Sequence, residues 1–96
     1  SINAISSLGV RVLLTDINNA NYALGSLALT INPGIGNIAL GGNALQSNNN
    51  NNHNIALGEA ALTFNSGNNN NNNIALGYSS LYNNFANNSS SNIMGR

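Results

Sequence analysis

The sequence predicts an all-β protein, a parallel β-solenoid with coils of 16–19 residues, and two features of the chain lead to this fold. One is a twelve-residue motif that recurs without internal gaps, and the other is a set of connectors whose length differs between copies. A constant core with elastic connectors is typical of a coiled chain that carries its loops on one side. The copies begin at Asn21, Asn37, Asn54 and Asn73, with a partial copy from Asn92, giving steps of 16, 17, 19 and 19 residues.

The motif reads Asn, Ile or Tyr, Ala, Leu, Gly, two variable residues, Ala or Ser, Leu, two variable residues and Asn. A strand rises about 3.3 Å per residue, so one step can hold two short strands and two turns. We expect the first strand to be Asn-Ile-Ala-Leu, ended by a glycine that reaches positive φ without penalty. These glycines are Gly25, Gly41, Gly58 and Gly77, and the second strand is expected to carry Leu29, Leu45, Leu62 and Leu81.

Alternation along the first strand separates two apolar faces. In the second copy, Ile38 and Leu40 share one face and Ala39 points to the other. We expect the Ile and Leu face to fill the interior of the coil and the flat alanine face to contact another subunit. The asparagines that begin the copies are expected to stack as an amide ladder, to form turns through side-chain hydrogen bonds, or to do both.

A helix is the alternative for these segments. Residues 57–62 contain good helix formers, and an asparagine before them is a suitable cap. A glycine nevertheless interrupts each copy at the centre of the would-be helix, and each apolar run is too short to be stable alone. The β interpretation is therefore favoured.

Two regions are distinguished along the chain. Residues 10–14 are β-branched and aliphatic and are followed by a turn signal at 16–19, which predicts a strand. We therefore assign 1–20 as a lead-in or capping strand segment and 21–96 as the solenoid repeats.

The composition excludes several function classes. The charged residues are Arg11, Asp16, Glu59 and Arg96, so the chain has zero net charge and no basic face for nucleic acid. No apolar run is long enough to span a bilayer, so membrane insertion by this segment is not expected.

Cysteine is absent, and a chain of 96 residues without a disulfide or thiolate metal site needs partner chains for stability. Without an initiator Met or signal-peptide pattern, the segment is expected to belong to something longer.

No catalytic, cofactor-binding or metal-binding residues are predicted, and the protein is not expected to be an enzyme. Asp16 and Glu59 lie more than two repeats apart, too far in sequence to form an acid–base pair. His53 is expected to be an exposed loop residue, although three copies on a trimer axis would form a metal site. The serines at 79–80 and 89–91 have no activating base, and 34–39 lacks the third glycine of a dinucleotide fingerprint.

Two further groups of residues are candidates for recognition or modification. The tyrosines at 22, 78 and 82 have rings that can stack on sugars, but they share no motif position, which favours local packing. Glycosylation triplets begin at Asn87 and Asn88.

The repeats resemble a known family. Segments 39–44, 56–61 and 75–80 read Ala-Leu-Gly-x-x-Ala or Ser. They are similar to the head repeats of trimeric autotransporter adhesins, which read Val-Ala-Ile-Gly-x-x-Ser/Ala-x-Ala and have counterparts in viral and phage fibres. The resemblance covers about residues 21–96 and implies a β-roll in a homotrimer. Here Leu replaces Ile after Ala, and the connectors are asparagine-rich.

These observations lead to one functional hypothesis and two alternatives. We expect a structural fibre or adhesin segment, extracellular or on a virion or cell surface, that supports attachment without catalysis. Its partners would be copies of itself and a host receptor or glycan. The alternatives are a self-assembling, asparagine-rich extracellular filament with amyloid-like stacking, and a glycan-binding solenoid module.

Overall fold

The computed structural model describes residues 2–7, 10–16, 18–30, 34–65, 67, 71–84 and 93–95, with only the backbone at 2–7, 10–15 and 93–95. These residues form strands and turns and contain no helix, which confirms the all-β class. The strands are β1 (Ile2–Ser7), β2 (Val10–Asp16), β3 (Asn21–Leu24), β4 (Ile38–Leu40), β5 (Ile55–Leu57), β6 (Ile74–Leu76) and β7 (Ile93–Gly95).

All seven strands belong to one open sheet in which chain order and spatial order are the same. Strands β3 to β7 run parallel, and each pairs with the next at the same motif position, as Tyr22 does with Ile38 and Ile38 with Ile55. The offset between paired residues is 38 − 22 = 16, then 17, 19 and 19, the same as the steps of the repeat. This register is compatible with a β-solenoid-like arrangement.

Backbone hydrogen bonds also join the repeats outside the strands. The Gly41 amide donates to the Leu24 carbonyl at 2.8 Å, and the Leu45 amide donates to the Ala61 carbonyl at 3.0 Å. Isolated parallel bridges link Ser47 to Phe64 and Phe64 to Asn83. The repeats are therefore hydrogen-bonded to one another on more than one side.

The predicted second strand is wrong. Leu29, Leu45, Leu62 and Leu81 have φ between 47° and 51°. This left-handed conformation is incompatible with an extended strand and is uncommon for leucine. The chain must curve at these positions to return towards the next repeat, and it becomes extended only at the bridge residues two positions later.

The assignment of the two faces is also wrong, because the alanine face is inside. Ala39, Ala56 and Ala75 are fully buried within the single chain, whereas Leu40 is 42% exposed. The buried alanines form one apolar cluster with Leu29, Leu45 and Leu62, which also have no exposed surface. Since these leucines fill the interior from the side opposite the strands, the inward positions of the strands have room only for a small side chain.

The N-terminal segment contains one strand more than predicted. β2 covers the expected apolar run, and β1 pairs with it as an antiparallel hairpin. β2 also pairs antiparallel with β3, so it occupies the edge that β3 would otherwise leave open. Asp16, at the end of β2, is buried and accepts a hydrogen bond from the Asn19 side chain at 3.1 Å. The division of the chain at residue 20 stays a prediction.

Candidate functional site: asparagine ladders, an aliphatic face and a tyrosine groove

The asparagines that begin the copies form a continuous buried row, here called the first ladder: Asn21, Asn37, Asn54 and Asn73. The side-chain oxygens of Asn21, Asn37 and Asn54 each accept the backbone N–H of the ladder residue one repeat later. The distances are 2.8 Å from Asn37 to Asn21, 2.8 Å from Asn54 to Asn37 and 2.9 Å from Asn73 to Asn54. The predicted ladder is confirmed, although its repeated bond joins a side chain to the backbone.

The amide nitrogens of the first ladder also hold the connectors. The Asn21 side chain donates to the Gly34 carbonyl at 2.6 Å, and the Asn37 side chain donates to the Asn51 carbonyl at 2.9 Å. Both acceptors lie three residues before the next ladder asparagine. The buried side-chain nitrogen of Asn54 has no hydrogen-bond partner in the described part of the chain. Asn21 and Asn37 therefore fix both the stacking and the turn, so the two predicted roles coexist.

A second ladder was not predicted and lies at the last position of the motif, at Asn48, Asn65 and Asn84. Here the bond is between side chains: Asn65 donates to the Asn48 oxygen, and Asn84 donates to the Asn65 oxygen, both at 2.9 Å. The buried Asn51 side chain adds bonds to the carbonyls of Asn65, at 2.9 Å, and Gly67, at 2.7 Å. The recurrence of Asn at this motif position was the signal in the sequence.

These ladders explain why so much amide is buried in a small chain. A buried amide left without partners would cost about 1–3 kcal/mol, whereas a satisfied hydrogen bond contributes about 1 kcal/mol. An asparagine side chain has both donor and acceptor atoms, so each copy can bond to the copies on either side. The arrangement specifies which residues stack and provides no reactive group.

The outward side chains of β3–β6 form the second feature, here called the strand face. Its two columns follow the register of the sheet: Tyr22, Ile38, Ile55 and Ile74 in one, and Leu24, Leu40, Leu57 and Leu76 in the other. Tyr22, Leu24, Ile38, Leu40 and Leu76 are exposed, and the remaining members are half-buried. Contiguous apolar patches of several hundred Å² are uncommon on soluble monomers and mark interaction surfaces.

The third feature is a concave groove of about 500 Å³ beside the turns that follow β4, β5 and β6. We call it the tyrosine groove, and the residues that line it are Asn43, Glu59, Ala60, Tyr78, Ser79 and Tyr82. The Tyr82 ring packs edge-on against Phe64, with centroids 5.3 Å apart and an interplanar angle of 88°. Tyr78 is 64% exposed. Two tyrosines that share no motif position thus come together, which the sequence did not indicate.

The acidic residues are placed far apart in the sheet. Asp16 ends β2 and is held by Asn19, whereas Glu59 follows β5 in an exposed turn. Of the serines considered, Ser80 is buried and its hydroxyl donates to the Gly77 carbonyl at 3.0 Å, while Ser79 lies in the tyrosine groove.

His53 is exposed in the connector, as predicted. Its ring lies against Gly36, where an added β-carbon would come within 2.7 Å of the His53 Cδ2 atom. Gly34 and Gly36 have φ of 75° and 70°, as expected of turn residues. The serines at 89–91 and the glycosylation triplets at 87–90 lie outside the described residues.

The described part of the chain contains neither a cluster of metal-ligating side chains nor a membrane-spanning helix. Among those residues, no three His, Cys, Asp or Glu side chains come together as metal ligands would. In the same part of the chain, no helix has the length and apolar character required to cross a membrane.

Comparison with known proteins gave no match to any family model, any curated protein or any solved structure.

Proposed function

We propose that this chain is a structural segment of a β-solenoid fibre with 16–19-residue coils, in which sister chains cover one another's strand face. The exposed strand face is the observation that carries the proposal. It presents two unbroken columns of aliphatic and aromatic side chains on a molecule with zero net charge. Full burial of an exposed aliphatic side chain contributes about 1.5–3 kcal/mol, and each partly exposed member of the columns provides a share of that when a sister chain covers it.

The stacked asparagines support the structural role. Two ladders and the backbone bonds between repeats make each copy a template for the next, which suits a rod that carries load or spans a distance. The homotrimer and the location on a virion or cell surface rest on the resemblance of the repeats to adhesin heads. In this role the fibre supports attachment to a receptor or glycan and catalyses no reaction.

The test replaces apolar side chains on the strand face and compares them with matched positions elsewhere. The double variant Ile38→Gln/Leu40→Gln removes adjacent members of the two columns. The control is Leu27→Gln/Ile35→Gln, which changes equally exposed aliphatic residues outside the strand face. We expect the parent and the control to sediment as the same oligomer and the strand-face variant to sediment at a lower mass. A strand-face variant that keeps the parent mass would contradict the proposal.

A second candidate is an open-ended filament. Every parallel strand adds to the preceding one in register, and a strand from another chain can extend such a sheet at its edge by the same bonds. Sedimentation separates the two candidates, because a filament lengthens with chain concentration, whereas a closed oligomer keeps one mass.

A further inference from the structure

The tyrosine groove is built from the least regular positions of the repeat. The two variable positions after the glycine are Ser26 and Leu27 in the first copy, whereas the fourth copy has Tyr78 and Ser79. The first variable position of the third copy is Glu59. The side chains that line this groove therefore come from the second, third and fourth copies.

Backbone hydrogen bonds hold these turns together. The Ser79 amide donates to the Glu59 carbonyl at 2.9 Å, and the Ala60 amide donates to the Gly42 carbonyl at 2.8 Å. Adjacent turns are therefore separated by about 4.8 Å, the spacing of neighbouring strands. Tyr82 is fixed by its contact with Phe64, so the groove is formed without a ligand.

The side chains of the groove combine a ring surface with several hydrogen-bonding groups. Tyr78 is one of the most exposed large side chains of the described residues. The other polar residues that line the groove carry an amide at Asn43, a carboxylate at Glu59 and hydroxyls at Ser79 and Tyr82. Sugars have an apolar C–H face that packs on aromatic rings and hydroxyls that pair with carboxylates and amides. The volume, about 500 Å³, lies in the range of small-ligand sites.

We propose that the tyrosine groove binds a neutral saccharide, with the sugar ring on Tyr78 and its hydroxyls on Glu59 and Asn43. An organic cation is the other ligand that a tyrosine and a carboxylate can bind. It would leave the amide and the hydroxyls of the groove unused, whereas the hydroxyls of a sugar can pair with such groups. The groove lies in the turns, and none of its lining residues belongs to the strand face.

The biological role of this site rests on the attachment function proposed above, but sugar binding by the groove can be measured independently of that function. The whole chain is applied to an array of neutral glycans that covers hexoses, N-acetylhexosamines and deoxyhexoses. The best-bound glycan is then titrated in solution against the parent and three variants. Assembly is measured by mass and sugar binding by titration, so either proposal can fail while the other stands.

The expected results separate the groove from other exposed aromatic surface. Tyr78→Ala removes the stacking ring and is expected to weaken binding about tenfold. Glu59→Gln keeps the shape of the side chain and is expected to weaken binding about tenfold because it replaces a charge-assisted hydrogen bond. Tyr22→Ala removes an exposed tyrosine on the strand face and is expected to change affinity less than twofold.

Two results would overturn the proposal. One is an array without any bound neutral glycan, and the other is binding that Tyr78→Ala leaves unchanged. In the first case, saturable and Tyr78-dependent binding of choline, used as the cationic probe, would identify the groove as a site for an organic cation. Circular dichroism of each variant confirms that loss of binding is not loss of fold.

Discussion

Substitution of Gly41 by alanine is expected to be far more destabilising than substitution of the adjacent Gly42. Gly41 has φ of 127°, a region that is nearly restricted to glycine and costs other residues about 1–3 kcal/mol. A β-carbon on Gly41 would also lie 2.6 Å from the carbonyl carbon and oxygen of Gly58 in the next repeat. Backbone atoms cannot rotate away, so the repeats must separate locally, which adds about 1–3 kcal/mol.

The control differs only in position. A β-carbon on Gly42 would meet only the Ser26 carbonyl oxygen, at 3.9 Å, an ordinary contact. Gly42→Ala is expected to change stability by less than about 1 kcal/mol and to stabilise the chain if it restricts the unfolded state. Gly41→Ala is expected to cost about 2–6 kcal/mol, a large share of the 5–15 kcal/mol typical of a small domain.

The assay is urea unfolding followed by circular dichroism at one fixed chain concentration, because association would otherwise shift the midpoints. Equal midpoints for the two variants would refute the close stacking of the glycines. A lower midpoint for Gly42→Ala than for Gly41→Ala would show that the turn follows another path.

Three further predictions concern the second ladder, a connector and a strand. Asn65→Asp places a carboxyl in the second ladder, where burial raises the pKa of that carboxyl. The variant is therefore expected to be most stable at acidic pH and to lose at least about 2 kcal/mol of stability as the pH rises through the folded pKa. Thermal melts against pH check this, and the exposed Asn50→Asp should show no such loss. One asparagine inserted between Asn49 and Asn50 is expected to cost less than about 1 kcal/mol. One alanine inserted after Ala39 shifts the alternation and is expected to prevent cooperative unfolding.

The sequence was informative where one residue type recurs at one motif position. The steps between copies predicted the parallel register, and the glycines predicted the end of each strand. The first ladder was predicted because an amide both donates and accepts. The second ladder was equally readable from the Asn at the last position of the motif, but no role was assigned to it.

Alternation could not decide which face is inside. It places Ile38 and Leu40 together and Ala39 opposite, but either face is apolar. Which face is inside depends on the side chains that fill the interior from the side opposite the strand. That side carries Leu45, whose backbone is in a left-handed conformation. Leucine at φ near 50° contradicts its usual preference, so neither the curve of the return path nor the room it leaves could be inferred.

The tyrosine groove was hidden for a related reason. Tyr78 and Tyr82 occupy different motif positions, and sequence comparison between copies separates them. They meet because the chain turns back through Leu81 and because Phe64 of the preceding repeat fixes Tyr82. Contacts between neighbouring copies, and not the pattern within one copy, create this site.

The mass of the folded particle in dilute solution tests the account most directly. A single chain has a mass of 9.9 kDa, and a homotrimer covering its strand faces has three times that mass, 29.7 kDa. We predict that sedimentation equilibrium gives the larger value, unchanged over a wide range of chain concentration. A stable, folded particle of 9.9 kDa with Leu40 exposed to water would contradict the account.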